Sequence, residues 1–186
     1  MTGCAGLVLA AGAGSRYGQP KASVFVDGVR LVDHAVRCLR EGGCDPILVV
    51  LGAWRGDVPN AEIVVNEDWA EGLGSSLRAG LLALRSRNEV DSVVVTLVDL
   101  PGLTSEAVRR VVDASGDIVV ATYGLERGHP VRFARQHWDA VVASAHGDEG
   151  ARSFLSGRTD VTMVEVGAIA DGRDVDRPER TSAPPR

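Results

Sequence analysis

Six short runs rich in Val, Leu and Ile constrain the fold most, because several are apolar at consecutive positions instead of alternate ones. They cover residues 6–10, 47–52, 63–65, 93–98, 118–122 and 161–166. Strands covered on both faces of a sheet have this pattern. Apolar stripes at helical spacing lie around residues 31–39, 77–84 and 108–112. This order predicts an α/β fold: a Rossmann-like three-layer sandwich with a mostly parallel sheet and a site at the carboxyl ends of its strands.

The chain length of 186 residues suits one domain with a substantial core. We expect residues 1–176 to form this domain. Residues 177–186 are polar and proline-rich, and we expect them to be disordered at their end.

Charge and composition exclude several classes of protein. The net charge of −5 argues against a nucleic-acid binder. No apolar run approaches the roughly 20 residues of a membrane span, and the first strand begins too early to leave room for a signal peptide, so we expect a cytoplasmic protein. The three cysteines include no C-x-x-C pair, which predicts free thiols and neither a disulfide framework nor a zinc site.

The segment LAAGAGSRYGQPKA, residues 9–22, directly follows the first apolar run. Gly12, Gly14 and Gly18 lack a Cβ, so the backbone can take positive φ angles and bring its N–H groups close to an anion. Arg16 and Lys21 add cationic donors for the same phosphates. The alternative is a glycine-rich surface turn with two incidental cations. The preceding strand and the position of both cations favour a loop that holds a triphosphate.

Two familiar phosphate loops do not fit this spacing. In a Walker A loop, the lysine directly follows a glycine and precedes Ser or Thr, whereas Lys21 follows Pro20 and precedes Ala22. A dinucleotide fingerprint needs glycine where Tyr17 stands and continues into a helix, which Pro20 disfavours. A dinucleotide-dependent oxidoreductase is therefore a disfavoured hypothesis.

Polar residues follow two further predicted elements. Asp99 comes directly after the run 93–98, where its carboxylate suits Mg²⁺, which takes one or two carboxylates together with substrate phosphates. The alternative is a turn residue ahead of Pro101. Ser75 and Ser76 lie at the start of a predicted helix, where they can contact a nucleotide or simply cap the helix.

These segments together resemble one family of enzymes. The first loop is similar to that of the nucleotidyltransferases that activate molybdenum cofactor, sugar phosphates and isoprenoid alcohols. The later segments EGLGSSLRAGL, VDLP, GHPVRF, GDEGAR and RDVDRPE are similar to segments of molybdenum cofactor cytidylyltransferases. The resemblance extends over nearly the whole chain in order, and it implies a fold like that of the nucleotide-diphospho-sugar transferases.

The resemblance implies a set of site residues. Arg16, Lys21 and Asp99 are the expected catalytic residues, and His129 with Pro130 is expected at the acceptor. Asp99 and Asp176 are the expected Mg²⁺ ligands, with Asp174 as the alternative second ligand. The expected nucleotide-binding residues are Leu9, Ala10, Ala11, Gly12, Gly14, Arg16, Lys21, Gly74, Ser75 and Ser76.

The resemblance also implies a reaction. The expected activity joins the nucleoside monophosphate of CTP to a phosphorylated acceptor, molybdopterin, and releases pyrophosphate. A molybdoenzyme or its chaperone is a possible partner in this interpretation, with no nucleic acid and no membrane. The alternatives are GTP or a sugar-phosphate acceptor with the same chemistry, and a non-catalytic nucleotide- or cofactor-binding module.

Overall fold

A seven-stranded sheet runs through the computed structural model, which describes residues 3–175. Its strands are β1 (Gly3–Leu9), β4 (Ile47–Leu51), β5 (Glu62–Val65), β6 (Val90–Leu97), β7 (Ile118–Tyr123), β8 (Glu126–Ala134) and β9 (Val161–Glu165). A small hairpin of β2 (Phe25–Val26) and β3 (Val29–Arg30) stands apart from it. The helices are α1 (Leu31–Glu41), α2 (Leu73–Leu84), α3 (Ser105–Asp113), α4 (Trp138–Ser144) and α5 (Arg152–Leu155).

The order of the strands across the sheet is β5-β4-β1-β6-β8-β7-β9. Neighbouring strands are parallel except where β8 pairs antiparallel with β6 and with β7. The mostly parallel sheet predicted from the sequence is confirmed. Its central strands β1 and β6 lie side by side, so the loops that follow them emerge at the same edge.

Apolar residues cover both faces of the sheet, as the uninterrupted apolar runs predict. On one face, Leu39 of α1 and Val108 of α3 belong to a core that includes Val8 of β1. On the other face, Leu81 of α2 packs in a second core with Leu7, the neighbour of Val8 along the same strand. Successive residues of a strand point to opposite faces, which is why one short run contributes to two cores. The α/β three-layer fold is confirmed.

The main difference between the predicted and the observed strands is β8, which was not among the predicted strands. Its second half contains the buried apolar residues Val131 and Phe133, but Arg132 lies between them, and the first two residues of the strand are exposed. The strand is nevertheless part of the sheet, because Val131 pairs with both Val95 of β6 and Val120 of β7. Tertiary pairing therefore decided this element, against a weak local pattern.

The sequence also led to predictions about the C-terminal tail, the cysteines and membrane-spanning segments. Asp176 and the predicted tail 177–186 lie outside the described residues. Cys4, Cys38 and Cys44 are free thiols, as predicted. Among the helices within residues 3–175, none has the length and apolar character needed to cross a membrane.

Candidate active site

The glycine loop leaves the end of β1 and turns back on itself. Gly14 has a φ of +63°, and a Cβ built there would lie 1.9 Å from the carbonyl oxygen of Gln19. The same turn brings the N–H groups of Tyr17 and Gly18 to the carbonyl oxygen of Gly14, at 2.9 and 2.8 Å. Gly18 also has a positive φ, of +94°. The prediction of positive φ angles is confirmed at these two glycines.

Gly12 differs from the other two glycines of the loop. Its φ is not in the positive region, and a Cβ built there would have no protein atom within 4 Å. The fold therefore does not need a glycine at position 12. What the missing side chain leaves is open space next to the loop backbone, where a ligand can approach closely.

Lys21 and Asp99 form an ion pair beside this loop. The Nζ atom of Lys21 lies 2.6 Å from Oδ2 of Asp99, although 78 residues separate them in the chain. Lys21 opens a 3₁₀ turn that follows the loop, and Asp99 comes shortly after β6, the strand next to β1. Their side chains are 15% and 16% exposed, so the pair is largely shielded but open on one side.

That open side faces a cavity of about 420 Å³ at the carboxyl edge of the sheet. We call it the loop cavity. Of the residues predicted to bind nucleotide or metal, it is lined by Leu9, Ala10, Ala11, Gly12, Gly14, Lys21, Ser76 and Asp99. Trp69, Ala70, Leu73 and Asp148 complete the lining together with neighbouring loop residues. The fold thus brings most of the predicted residues to one cavity.

Three of the residues predicted to bind nucleotide do not line the loop cavity. Arg16 is exposed on the outer part of the glycine loop. Gly74 lies against another segment of the chain, since a Cβ built there would be 2.7 Å from the carbonyl carbon of Ala145. Ser75 is buried within the first turn of α2. Their predicted contacts with nucleotide remain predictions.

Asn66 organises the serines at the start of α2. Its amide nitrogen donates to Oγ of Ser75 at 2.8 Å and to Oγ of Ser76 at 3.1 Å, and its amide oxygen accepts the N–H of Asp68 at 3.0 Å. Ser75 in turn donates to the carbonyl oxygen of Gly72 at 2.8 Å. Gly72 is the N-cap of α2, and no side chain caps it, so the alternative in which these serines cap the helix is wrong.

A second cavity of about 420 Å³ adjoins the first and shares Leu9, Leu73, Leu97 and Asp148 with it. Its walls are mainly apolar, from residues such as Val95, Val131 and Phe133, and His129 lines it. Pro130 is buried behind His129 and is not part of the wall. We call this space the side cavity.

His129 presents a neutral imidazole to the side cavity. Burial lowers the pKa of His129 below its usual range, while the carbonyl of Val95 and the carboxylate of Asp99 oppose that shift. Nδ1 lies 3.2 Å from the carbonyl oxygen of Val95 and donates to it, because a carbonyl can only accept. In that tautomer Nε2 carries a lone pair and can accept a hydrogen bond.

The residues around Asp99 fit a divalent cation that also binds phosphate. One carboxylate oxygen of Asp99 contacts Lys21, and Mg²⁺ needs only one or two protein carboxylates when phosphate oxygens supply the other ligands. The segment with the second predicted ligand reaches this point, since the N–H of Val175 donates to the carbonyl of Asp99 at 3.0 Å. Asp174, the alternative ligand, precedes Val175 and is exposed, whereas Asp176 lies beyond the described residues. Within residues 3–175, no cluster of three His, Cys, Asp or Glu side chains can hold a metal ion.

Sequence reasoning missed three residues of this site. Asn66 was visible as the polar residue that directly follows β5, but an asparagine after a strand is most often a turn residue. Trp69 and Asp148 reach the loop cavity from segments distant from the glycine loop, so spacing in the chain could not associate them with it.

Comparison with known proteins agrees with this geometry. The sequence profile of the MobA-like NTP transferase domain matches residues 6–163. A protein named nicotine blue oxidoreductase, from Paenarthrobacter nicotinovorans, is 37% identical over 94% of this chain and 93% of its own length. A probable molybdenum cofactor guanylyltransferase from Mycobacterium marinum is 27% identical over 93% of this chain and 82% of its own length.

Solved structures extend the comparison to three dimensions. Rv0371c from Mycobacterium tuberculosis H37Rv superposes with a TM-score of 0.80 at 28% identity, covering 95% of this chain and 94% of that one. A complex of Rv0371c with manganese has also been solved, and it aligns at a TM-score of 0.74 over 89% of each chain. A nucleotidyl transferase from Methanothermobacter has the same fold, with a TM-score of 0.76 at 20% identity over 89% of this chain and 88% of that one.

Proposed function

The chain belongs to the MobA-like NTP transferase family, and from that premise we propose that it transfers the nucleoside monophosphate of CTP to a phosphorylated acceptor. Molybdopterin is the proposed acceptor, and a divalent cation, Mg²⁺, is the proposed cofactor. In this reaction an oxygen of the acceptor phosphate forms a bond to the α-phosphorus, and the bond from that phosphorus to the bridging oxygen of pyrophosphate breaks.

The ion pair of Lys21 and Asp99 at the glycine loop is the observation that carries this proposal. Its Nζ to Oδ2 distance of 2.6 Å brings a cation and a candidate metal ligand to the edge of one cavity. Gly12 leaves the loop backbone open at the same cavity. A cation, free space at the backbone and a carboxylate are what a triphosphate with its metal ion requires.

The protein's own groups act on the phosphates by position and charge. Lys21 offsets the negative charge that builds on the α-phosphate and on the departing pyrophosphate. Backbone N–H groups of the glycine loop hold the outer phosphate oxygens, and Arg16 reaches them from the rim of the loop in this proposal. An acceptor phosphate is already ionised near pH 7, so no general base is needed.

A divalent cation held by Asp99, with Asp176 or Asp174 as the second carboxylate, would screen the phosphates from each other and polarise the α-phosphorus. The side cavity next to the loop cavity receives the acceptor. There the lone pair of His129 at Nε2 accepts a hydrogen bond from it, and the apolar wall excludes water.

Release of pyrophosphate tests the proposal directly. The protein is incubated with Mg²⁺, molybdopterin and each of the four nucleoside triphosphates in turn, and pyrophosphate is measured. We expect release with CTP above the other three, which separates this proposal from a guanylyltransferase. Binding of a triphosphate without release, with molybdopterin and with sugar phosphates, would favour a non-catalytic nucleotide- or cofactor-binding module.

Two relatives favour specific alternatives. The mycobacterial guanylyltransferase makes GTP the alternative nucleotide for the same chemistry. The nicotine blue oxidoreductase, 37% identical over nearly the whole chain, makes an oxidoreductase the second candidate function. Against that second candidate, the glycine loop leads into a three-residue 3₁₀ turn and a hairpin before α1 begins, not directly into a helix as in dinucleotide-binding loops.

A titration separates the second candidate from the first. NADH and NADPH fluorescence is followed while the protein is added, with CTP and Mg²⁺ as the competing ligand. We expect no binding of either dinucleotide at concentrations where CTP binds. Tight binding of NADH or NADPH, with no pyrophosphate released from any triphosphate, would favour the oxidoreductase.

A further inference from the structure

Residues 145–150 form a short segment that lies against the first turn of α2; we call it the strap. Glycines make this contact possible from both sides. A Cβ on Gly72 would lie 2.6 Å from the carbonyl carbon of Gly147, and a Cβ on Gly74 would lie 2.7 Å from the backbone nitrogen of His146. Gly150 adopts a φ of +56°, and its Cβ would meet Leu73 at 3.0 Å.

The strap is also fixed by a hydrogen bond from α2. The guanidinium of Arg78 donates to the carbonyl oxygen of Ala145, and it is itself paired with Glu71 at 2.7 Å. Backbone contact without intervening side chains and a charged hydrogen bond together hold the strap in one position on the helix.

Asp148 is the side chain that the strap brings to the substrate cleft. It lines both the loop cavity and the side cavity, so it stands where the two spaces meet. Its Oδ1 lies beside Gly72, only 2.5 Å from where a Cβ on that glycine would be. Among residues 3–175, the Asp148 carboxylate has no hydrogen-bond or ion-pair partner. It is therefore available to a ligand.

The charges of the loop cavity separate it into two parts. Lys21 and the loop backbone favour phosphate at one part. The other part, lined by Trp69, Leu73, Ser76 and Asp148, carries a negative charge and no cation among its described lining residues. Phosphate is repelled there, whereas the uncharged nucleoside portion of a triphosphate is not. A carboxylate can only accept hydrogen bonds, so it selects groups that donate them.

We propose that Asp148 is a specificity-determining residue that accepts a hydrogen bond from a hydroxyl or amino group of the bound nucleoside. This inference rests on the proposed function, because it needs a nucleoside triphosphate in the loop cavity. The donor is either a ribose hydroxyl or the exocyclic amino group of the base, and the experiment below distinguishes the two. The strap positions the carboxylate, and the glycines of α2 and the strap permit the strap to approach.

The test measures binding of CTP, 2′,3′-dideoxy-CTP and UTP by isothermal titration calorimetry with Mg²⁺ in excess. It compares the unmodified protein with Asp148→Asn, Asp148→Ala and the matched control Glu149→Gln. Glu149 carries the same charge at the next position but lines only the side cavity. The control therefore reports the general effect of removing one negative charge near a polyanion. If GTP binds more tightly than CTP, then GTP, its dideoxy analogue and ITP replace the three ligands.

We expect both Asp148 variants to raise the Kd of CTP about tenfold relative to Glu149→Gln, as for loss of a hydrogen bond to a charged group. If the ribose is the donor, the unmodified protein should bind the dideoxy analogue about tenfold more weakly than CTP, and the Asp148 variants should bind CTP and the analogue with the same Kd. If the amino group is the donor, UTP should behave in this way in place of the dideoxy analogue. Either pattern supports the proposal.

Unchanged CTP affinity in both Asp148 variants would overturn the proposed role of Asp148. An equal loss of affinity for CTP, the dideoxy analogue and UTP would also overturn it. Thermal unfolding of the variants monitors the fold, and the asparagine variant retains the shape of the side chain. A protein that binds none of the triphosphates, even unmodified, would overturn the proposed function itself, which is a separate result.

Discussion

The Lys21–Asp99 pair is the residue-scale feature on which the proposed chemistry depends. Both side chains are largely shielded, so their charges are less screened than those of the exposed ion pairs elsewhere on the surface. The pair also joins the two loops that carry it, one after β1 and one after β6. The ion pair therefore both places charge at the cavity and holds the two loops next to each other.

Lys21→Ala and Asp99→Ala are each expected to lower the rate of pyrophosphate release by about two to three orders of magnitude, because each removes a group that stabilises charge on the phosphates. The measurement is the steady-state rate with CTP and Mg²⁺, and circular dichroism checks the fold. Arg110→Ala is the control, since Arg110 is exposed and its ion-pair partner among residues 3–175 is Glu106 of the same helix. Near-normal rates in both site variants would mean that the reaction occurs elsewhere.

The glycines of the loop are expected to differ in what they contribute. Gly14→Ala places a Cβ 1.9 Å from the carbonyl of Gln19 at a positive φ, so it should lower the melting temperature by several degrees. Gly12→Ala meets no protein atom and should leave the melting temperature unchanged, yet weaken CTP binding, because the new methyl group lies in the loop cavity. Thermal unfolding and calorimetry measure the two effects. Equal losses of stability in both variants would contradict this assignment.

At the scale of elements, the start of α2 depends on a buried side chain outside the helix. Asn66 is 5% exposed and satisfies two serine hydroxyls and one backbone N–H. The helix has no side-chain cap, so this network takes over the positioning of its first turn. Ser76, which lines the loop cavity, therefore owes its orientation to a residue that does not line it.

Asn66→Ala is expected to lower the free energy of unfolding by about 2–3 kcal/mol, because it leaves buried polar groups without partners. It should also raise the KM for the nucleotide through the changed position of Ser76. Urea denaturation and steady-state kinetics measure the two quantities. Asn88→Ala, at an exposed position in the turn before β6, is the control and should change neither. A stable Asn66→Ala variant with normal KM would show that the network has no positioning role.

Most elements of the fold were predictable, and the reason is local. An apolar run such as Ile47 to Leu51 has to be covered on both faces, and this requirement does not depend on the rest of the chain. The N-cap at Thr104, whose hydroxyl accepts the N–H of Ala107 at 3.2 Å, is equally local. β8 was not predictable in this way, since half of it is polar and its place is decided by its two neighbours.

For the whole molecule, two histidines are expected to lower the free energy of unfolding as the solution becomes more acidic. Burial lowers the pKa of His34 and of His129 from a usual value of about 6.5. The unfolded chain then takes up these protons before the folded one. The free energy of unfolding should therefore decrease as the pH falls below about 6.5, and this decrease should continue until the folded histidines are protonated.

Chemical denaturation between about pH 7 and pH 5 measures that dependence. His129→Asn removes one of the two titrating groups, so its free energy of unfolding should change less over this interval than that of the unmodified protein. The same comparison with His34→Asn reports the second group. An identical pH dependence in all three proteins would contradict the assigned pKa shifts.

Mg²⁺ is expected to bind together with the nucleotide, as one complex with the protein. Because residues 3–175 contain no cluster of three potential metal ligands, Mg²⁺ alone should raise the melting temperature little. Mg²⁺ and CTP together should raise it by more than the sum of their separate effects, since phosphate oxygens complete the coordination. Differential scanning fluorimetry measures the shifts, and Asp99→Ala should abolish the excess. A full shift with Mg²⁺ alone would indicate a site made by the protein itself.

The strands and helices with strong periodicity, the glycine loop and the residue types that suit a triphosphate could be predicted from the chain alone, because they depend on neighbours within a few positions. Three contacts could not be predicted in this way: Lys21 meets Asp99 across 78 residues, Asn66 holds the serines of α2, and Asp148 reaches the junction of two cavities. Contacts of this kind arise from strand order and from the close approach of backbones at glycines. Neither property is expressed in the spacing of residues along the chain.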